Sequence, residues 1–134
     1  MKTHQWPVRV YYEDTDAGGI VYHSNYLNFM ERARTEWLRA LGFEQDQLRE
    51  ELSIVFPVRQ ANMDFLAPAR FNDQLLVTSR VDTLKKASLW FQQEITDIKN
   101  NKILCKGSIR IACVRLPDFK PTPLPQQLIM ELNP

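Results

Sequence analysis

Little in this chain could bind a metal or close a disulfide. Its 134 residues include only two cysteines and two histidines. Cys105 and Cys113 lie an even number of residues apart in one strand-like run, and a single extended strand holds them too far apart to pair. No CxxC or HxxxH spacing occurs, and His4 and His23 are isolated. The thiols are therefore expected to be buried and reduced, with no metal site and no cofactor. Charge of one sign is also missing: 17 Lys and Arg face 16 Asp and Glu, a net +1. That balance argues against nucleic acid and anionic membrane partners. No stretch approaches the roughly 20 apolar residues of a membrane span. The opening MKTHQWPVRV lacks the apolar core of a signal peptide. Neither a GxSxG elbow nor a Cys–His nucleophile context is found. The expectation is a cytoplasmic protein of one domain, 1–134, large enough to bury a core without staples.

What the chain does have is concentrated between Arg9 and Tyr26, RVYYEDTDAGGIVYHSNY. An alternating run (Val8, Val10 and Tyr12 one way, Arg9 and Tyr11 the other) predicts a strand over about Val8 to Glu13. Three acids follow within four residues, Glu13, Asp14 and Asp16, then Gly18, Gly19, a short apolar run and His23. A strand, an acidic turn with permissive backbone and a helix start can hold a carboxylate beside exposed helix N–H groups, where a reacting carbonyl could sit.

Downstream, Tyr26, Phe29, Met30, Ala33, Trp37, Leu38 and Leu41 recur at helical spacing, with Arg32, Arg34, Glu36 and Arg39 largely on the opposite side. Ser24 or Asn25 suits the cap, and Gly42 suits the left-handed stop. Glu44 to Leu52 reads as a short second helix or a lid-like connection. The period then changes to two, over Ile54–Phe65, Leu75–Leu84, Ser88–Ile98 and Lys102–Leu116, with turn material between. Residues from about 117 onward read as a Pro-rich surface tail with one or two helical turns. The order predicts an α+β fold, an antiparallel five-stranded sheet wrapped around one long helix. An open sheet edge and aromatic residues on both faces of the Ser88–Ile98 strand predict a homo-oligomer: at least a dimer by edge pairing, with a tetramer of stacked dimers favoured.

The segment RVYYEDTDAGGIVYHSNYLNFMERART resembles the active-site signature of the hotdog-fold acyl-CoA thioesterases of the 4-hydroxybenzoyl-CoA thioesterase group. Arg9, Val10, Thr15, Asp16, Gly19, Ile20, Val21, Tyr22, His23 and Tyr26 fill every position of that pattern. DFLAPARF at 64–71 and Ser88-Leu89 are similar to the family as well, and the DTDAGGIVYHSNY form is most similar to the bacterial branch encoded with the Tol–Pal envelope system. The resemblance implies the hotdog fold, hydrolysis of an acyl-CoA, and acyl-carrier-protein thioesters as the alternative substrate. It also implies Asp16 as nucleophile or general base and a backbone N–H at His23 as the oxyanion contact. A thiol leaves readily as thiolate, so a carboxylate and a polarised carbonyl suffice without a triad.

Each assignment has a plainer competitor. An aspartate near a helix start is ordinarily a turn or capping residue, and only position in the signature separates Asp16 from Glu13 and Asp14. The His23 ring either shares in catalysis or merely orients a residue that contributes its N–H. Gly18, Gly19 and Tyr22 are expected to line the acyl site; Tyr11 and Tyr12 read as packing. Glu31 is the runner-up carboxylate. Lys85, Lys86 and Ser88 are candidates to meet the phosphates of coenzyme A, as are Arg59 and Arg70. A non-enzymatic acyl-carrier or lipid-synthesis scaffold is the competing class. An enoyl-thioester hydratase fits less well, because its Asp-to-His spacing is shorter than that from Asp16 to His23.

Overall fold

A computed structural model describes residues 2–133 of the chain. Its centre is α1, Asn25–Ala40, whose buried residues are Tyr26, Phe29, Met30, Ala33, Arg34, Trp37 and Leu38. The apolar members are those expected from the helical spacing. The helix stops where Gly42 takes φ 94. There the Phe43 N–H donates to Leu38 C=O at 2.8 Å and the Gly42 N–H to Arg39 C=O at 3.0 Å, the paired bonds of a Schellman ending. A second helix, α2, spans Gln45–Leu52.

The helix lies against a five-stranded antiparallel sheet built from β1 (Thr3–Arg9), β3 (Val58–Phe65), β4 (Gln74–Leu84), β5 (Ser88–Asp97) and β6 (Lys102–Ala112), in the order β1-β4-β5-β6-β3. β1 and β3 are therefore the edges. Leu89, Phe91, Gln93, Ile95 and Asp97 are buried along β5, while the alternate residues from Ser88 to Thr96 are half-buried on the convex face. A small second sheet joins β2 (Ile54–Val55), β7 (Val114–Arg115) and β8 (Lys120–Pro121), and α3 (Gln126–Leu132) closes the described chain. On β3 the step from Val58 to Gln60 matches a single step from Ile111 to Arg110 on β6, so Arg59 is the extra residue of an edge bulge.

Several sequence expectations shift. The first strand runs Thr3–Arg9 rather than Val8 to Glu13, because Tyr12–Asp14 forms a 3-10 turn in which the Tyr11 N–H donates to the Asp14 carboxylate at 2.8 Å. Ile54–Phe65 breaks at Phe56–Pro57, and Lys102–Leu116 breaks at Cys113, each fragment changing sheets. Residues 117–133 are not a surface tail. Leu124, Leu128 and Leu132, spaced by four, are 1–3% exposed in the main core, and burying such a stripe outweighs the pull of the surrounding prolines toward solvent. Both thiols are free and buried, and burial raises the pKa of Cys105 to about 12 and that of Cys113 to about 11.

Arg34 is the other departure. It stands four residues from both Met30 and Leu38, on the apolar stripe itself, and is 8% exposed. Gln93 explains how the core accepts it: Arg34 Nη1 donates to Gln93 Oε1 at 3.0 Å, and Gln93 Nε2 donates to Met30 C=O at 3.0 Å and to Ser79 Oγ at 2.9 Å. One amide thus ties α1 to β5 and β4. Gln93→Leu is expected to leave the buried guanidinium without this partner and to lower stability by about 3 kcal/mol, read as a lower midpoint in urea denaturation at unchanged slope.

Candidate active site

The stretch from Arg9 to Tyr26 folds as a turn clamped at both ends to one loop. Arg9 Nη1 donates to Asn72 C=O at 3.2 Å, and Val10 exchanges backbone bonds with Asn72 and Asp73 at 3.0 Å each. At the far end the buried Tyr26 hydroxyl accepts from the Ala69 N–H at 3.0 Å; burial raises the Tyr26 pKa, and that bond offsets it in part. Between the clamps, Val21 N–H reaches Ala69 C=O at 2.9 Å, and Ile20 forms a lone bridge with Arg70. The two ends of the signature thereby receive a physical role, fixing the turn against residues 69–73.

The three acids separate by geometry. Asp14 is committed to structure: its carboxylate caps the 3-10 turn, and its carbonyl accepts from Tyr22 N–H and Asn25 Nδ2, each at 2.9 Å. Glu13 is exposed within that turn and makes no hydrogen bond among the described residues. Asp16 is exposed, its Oδ1 accepting from the Gly18 N–H at 2.8 Å. Its other carboxylate oxygen has no hydrogen-bond partner among the described residues. The Gly18 bond is the plain turn role, yet it also fixes the direction of the carboxylate. A Cβ on Gly18 would stand 3.2 Å from that same Oδ1, and Gly19 holds φ +80, which glycine alone adopts cheaply.

At the helix start the expected side-chain cap is absent. Ser24 makes no capping bond, and Asn25 turns its amide to the Asp14 carbonyl instead. Among the described residues the His23 N–H has no intramolecular acceptor, so a donor at the positive end of α1 faces outward beside the Asp16 turn. The His23 ring packs on Tyr22 at 4.5 Å and edge-on to Phe65 at 6.1 Å, and Phe65 also meets Tyr26 at 5.7 Å. Phe65 is a residue the sequence reading left without a role; its place in DFLAPARF was the available signal.

Asp16, Gly18, Gly19, Tyr22 and His23 are brought together, with Arg70 beside them. Lys85, Lys86 and Ser88 are not. They form the β4–β5 turn, whereas the Asp16 turn follows Arg9, which pairs with Gln74 at the other end of β4. Ten strand residues separate the two ends, roughly 33 Å. Arg59 sits in the β3 bulge, and Glu31 is exposed on α1 two turns from the helix start. Asp16, Gly18, Gly19, Tyr22 and His23 are all exposed and line a shelf. Among the described residues no three His, Cys, Asp or Glu side chains are grouped to hold a metal ion, and no helix is long and apolar enough to cross a membrane.

Comparison with known proteins identifies the family and the fold. A family model described as the thioesterase-like superfamily matches residues 10–132. The acyl-CoA thioesterase YbgC of Haemophilus influenzae is 45% identical over 123 residues, spanning 92% of this chain and 89% of that protein. The acyl-CoA thioester hydrolase YbgC of Escherichia coli O157:H7 is 42% identical over 129 residues, spanning 96% and 95%. Among solved structures, a 1,4-dihydroxy-2-naphthoyl-CoA thioesterase from Synechocystis superposes with a TM-score of 0.92 at 27% identity, covering 98% of this chain and 96% of that one. With a five-stranded antiparallel sheet around one long helix and the full signature on a single clamped turn, the chain belongs to the thioesterase-like superfamily of hotdog proteins and is an acyl-CoA thioesterase.

Proposed function

We propose that Asp16 and the start of α1 carry out the hydrolysis. The observation behind this reading is the pairing, on one rigid turn, of an exposed carboxylate with an outward amide that lacks an acceptor. The thioester carbonyl would lie with its oxygen toward the His23 N–H, where negative charge develops as the carbon is attacked. The free oxygen of Asp16 attacks that carbon or deprotonates the water that does. The C–S bond then breaks and the thiolate leaves: on the first route water next cleaves the mixed anhydride formed on Asp16, releasing the acid and restoring the carboxylate, and on the second the proton held by Asp16 passes to the thiolate or to solvent. Gly18 and Gly19 let the acyl group approach the backbone, with Tyr22 alongside. The His23 ring, packed against Tyr22 and edge-on to Phe65, serves to position its own N–H.

A shelf does not exclude water, and enzyme sites are ordinarily concave. The missing wall is supplied by a second copy of the chain. β3 is an edge strand exposed along nearly all of its length, with Val58, Phe65 and Leu66 at 50–56% exposed. Antiparallel pairing of two such edges sets the Val58 end of one copy beside the Phe65 end of the other, and Phe65 touches His23. The β4–β5 turn shares the Val58 end, because Ser88 pairs with Ala112 and Val58 with Ile111 on β6. Lys85 and Lys86 of one copy thus come to the same end as Asp16 of the other, within reach of an extended substrate carrying phosphates. Coenzyme A thioesters fit this layout, and thioesters of acyl carrier protein present the same phosphopantetheine arm.

Asp16→Asn should lower kcat/KM for acyl-CoA about 10²- to 10⁴-fold in a protein of unchanged fold, measured as thiol release; retention of hydrolysis would overturn the assignment. His23→Phe should stay within about tenfold of the wild type, since the backbone donor survives, and a loss as large as that of Asp16→Asn would make the imidazole a participant. Removing both Lys85 and Lys86 as alanines should raise KM, increasingly so at low salt, with little change in kcat. In sedimentation at micromolar concentration the protein should run as a dimer or larger, and a monomer that hydrolyses acyl-CoA would refute the shared site.

A further inference from the structure

A pocket with a mostly apolar wall opens beside α1, away from the Asp16 turn. It is a cavity of about 140 Å³ between α1, the Val58 end of the sheet and α3, walled by Leu89, Phe91, Ile111, Leu128 and Leu132. An apolar cavity of about 150 Å³ is enough to accept a benzene ring. Polar groups on the lining are few. Thr35 and Gln45 satisfy each other at 3.1 Å, and Glu31 stands exposed at the rim. Arg34 remains.

Arg34 is more than nine-tenths buried, yet among the described residues it forms no ion pair, and one of its five N–H donors is accounted for by Gln93. Its other nitrogens are not sealed in protein: the one buried side-chain nitrogen or oxygen without a partner among the described residues is His4 Nδ1. The remaining donors of Arg34 therefore open on the cavity it lines. Burial lowers the pKa of Arg34 to about 10, with Glu31 opposing that shift, so the group is still cationic near neutral pH. The Phe91 ring lies 6.0 Å from the Arg34 guanidinium carbon, and Glu31, exposed at the rim, makes no ion pair with it among the described residues; a buried cation with no paired anion is costly, and a guanidinium fork matches a carboxylate in geometry as well as charge.

We propose that this cavity binds a small carboxylate with an apolar body, the carboxylate on Arg34 and a single ring or short chain against Leu89, Phe91, Ile111, Leu128 and Leu132. The site goes beyond the hydrolytic one, for neither Asp16 nor His23 lines it. Two sources supply such a group beside a thioesterase: a free acid of the kind hydrolysis releases, or a carboxyl at the far end of an acyl chain.

Calorimetric titration with benzoate and with its neutral isostere benzamide tests the site, in the wild type and in Asp16→Asn, so that failure of the hydrolytic mechanism leaves this measurement standing. Benzoate is expected to bind about tenfold or more tightly than benzamide, and Arg34→Met to abolish that preference. Glu31→Gln, at an exposed position that does not threaten folding, is expected to tighten benzoate a few-fold and leave benzamide unchanged. Equal binding of the two probes, no binding at millimolar concentration, a preference that survives Arg34→Met, or benzoate affinity unmoved by Glu31→Gln would each overturn the proposal. In the hydrolysis assay the anion assigns its source: competition with acyl-CoA places an acyl terminus in the cavity, and binding without competition leaves free acid as its occupant.

Discussion

Burial of one stripe of α1 against the concave face of the sheet is the constraint on which everything else depends. Phe29, Met30 and Ala33 are fully buried there, with Trp37 and Leu38 nearly so, and each large side chain contributes about 1.5–3 kcal/mol. A helix held this way cannot slide or rotate without exposing that surface. Its N-terminus is therefore fixed at one edge of the sheet, and the turn before it inherits that position. The contact is close even where the sheet is thinnest: a Cβ on Gly107 of β6 would stand 2.6 Å from the Met30 sulfur. The geometry of the candidate site on a surface turn is in this sense a property of the core.

The polar insert in that core has a different character. Gln93 occupies an inward position of β5 between Phe91 and Ile95, where an apolar residue would pack with less demand. Its three hydrogen bonds instead fix helix, strand and guanidinium relative to one another. Directional bonds of this kind penalise small displacements more steeply than hydrophobic contact does. The register of α1 over the sheet is thus specified by an amide as well as by fit.

Much of this was legible in the residues. The stripe from Tyr26 to Leu38 showed the helix, and period-two runs showed the strands, because single-element burial writes itself into spacing. The acidic turn could be found but not resolved, since Glu13, Asp14 and Asp16 have the same chemistry and differ in which backbone amides they meet. Arg34 escaped for a related reason. Charge places it with the solvent side, whereas its spacing from Met30 and Leu38 places it inside, and only the partner on β5 decides. The C-terminal residues misled because prolines dominate their composition while three leucines, four apart, decide their burial. Lys85, Lys86 and Ser88 illustrate the opposite limit: spacing along the chain does not show that the far end of β4 separates them from the Asp16 turn.

The bulge at Arg59 has a consequence for molecular choice. Any strand adding to the β3 edge meets a regular ladder over Gln60–Phe65 and an offset at its start. A foreign strand of ordinary pleat must leave amides and carbonyls unpaired there or stop short of it. An identical edge arriving in the opposite direction carries its own offset at the far end, so the two irregularities fall outside the shared ladder on opposite sides. The same extra residue would thus hinder pairing with a foreign strand more than pairing with an identical edge, a filter written into one position of the backbone.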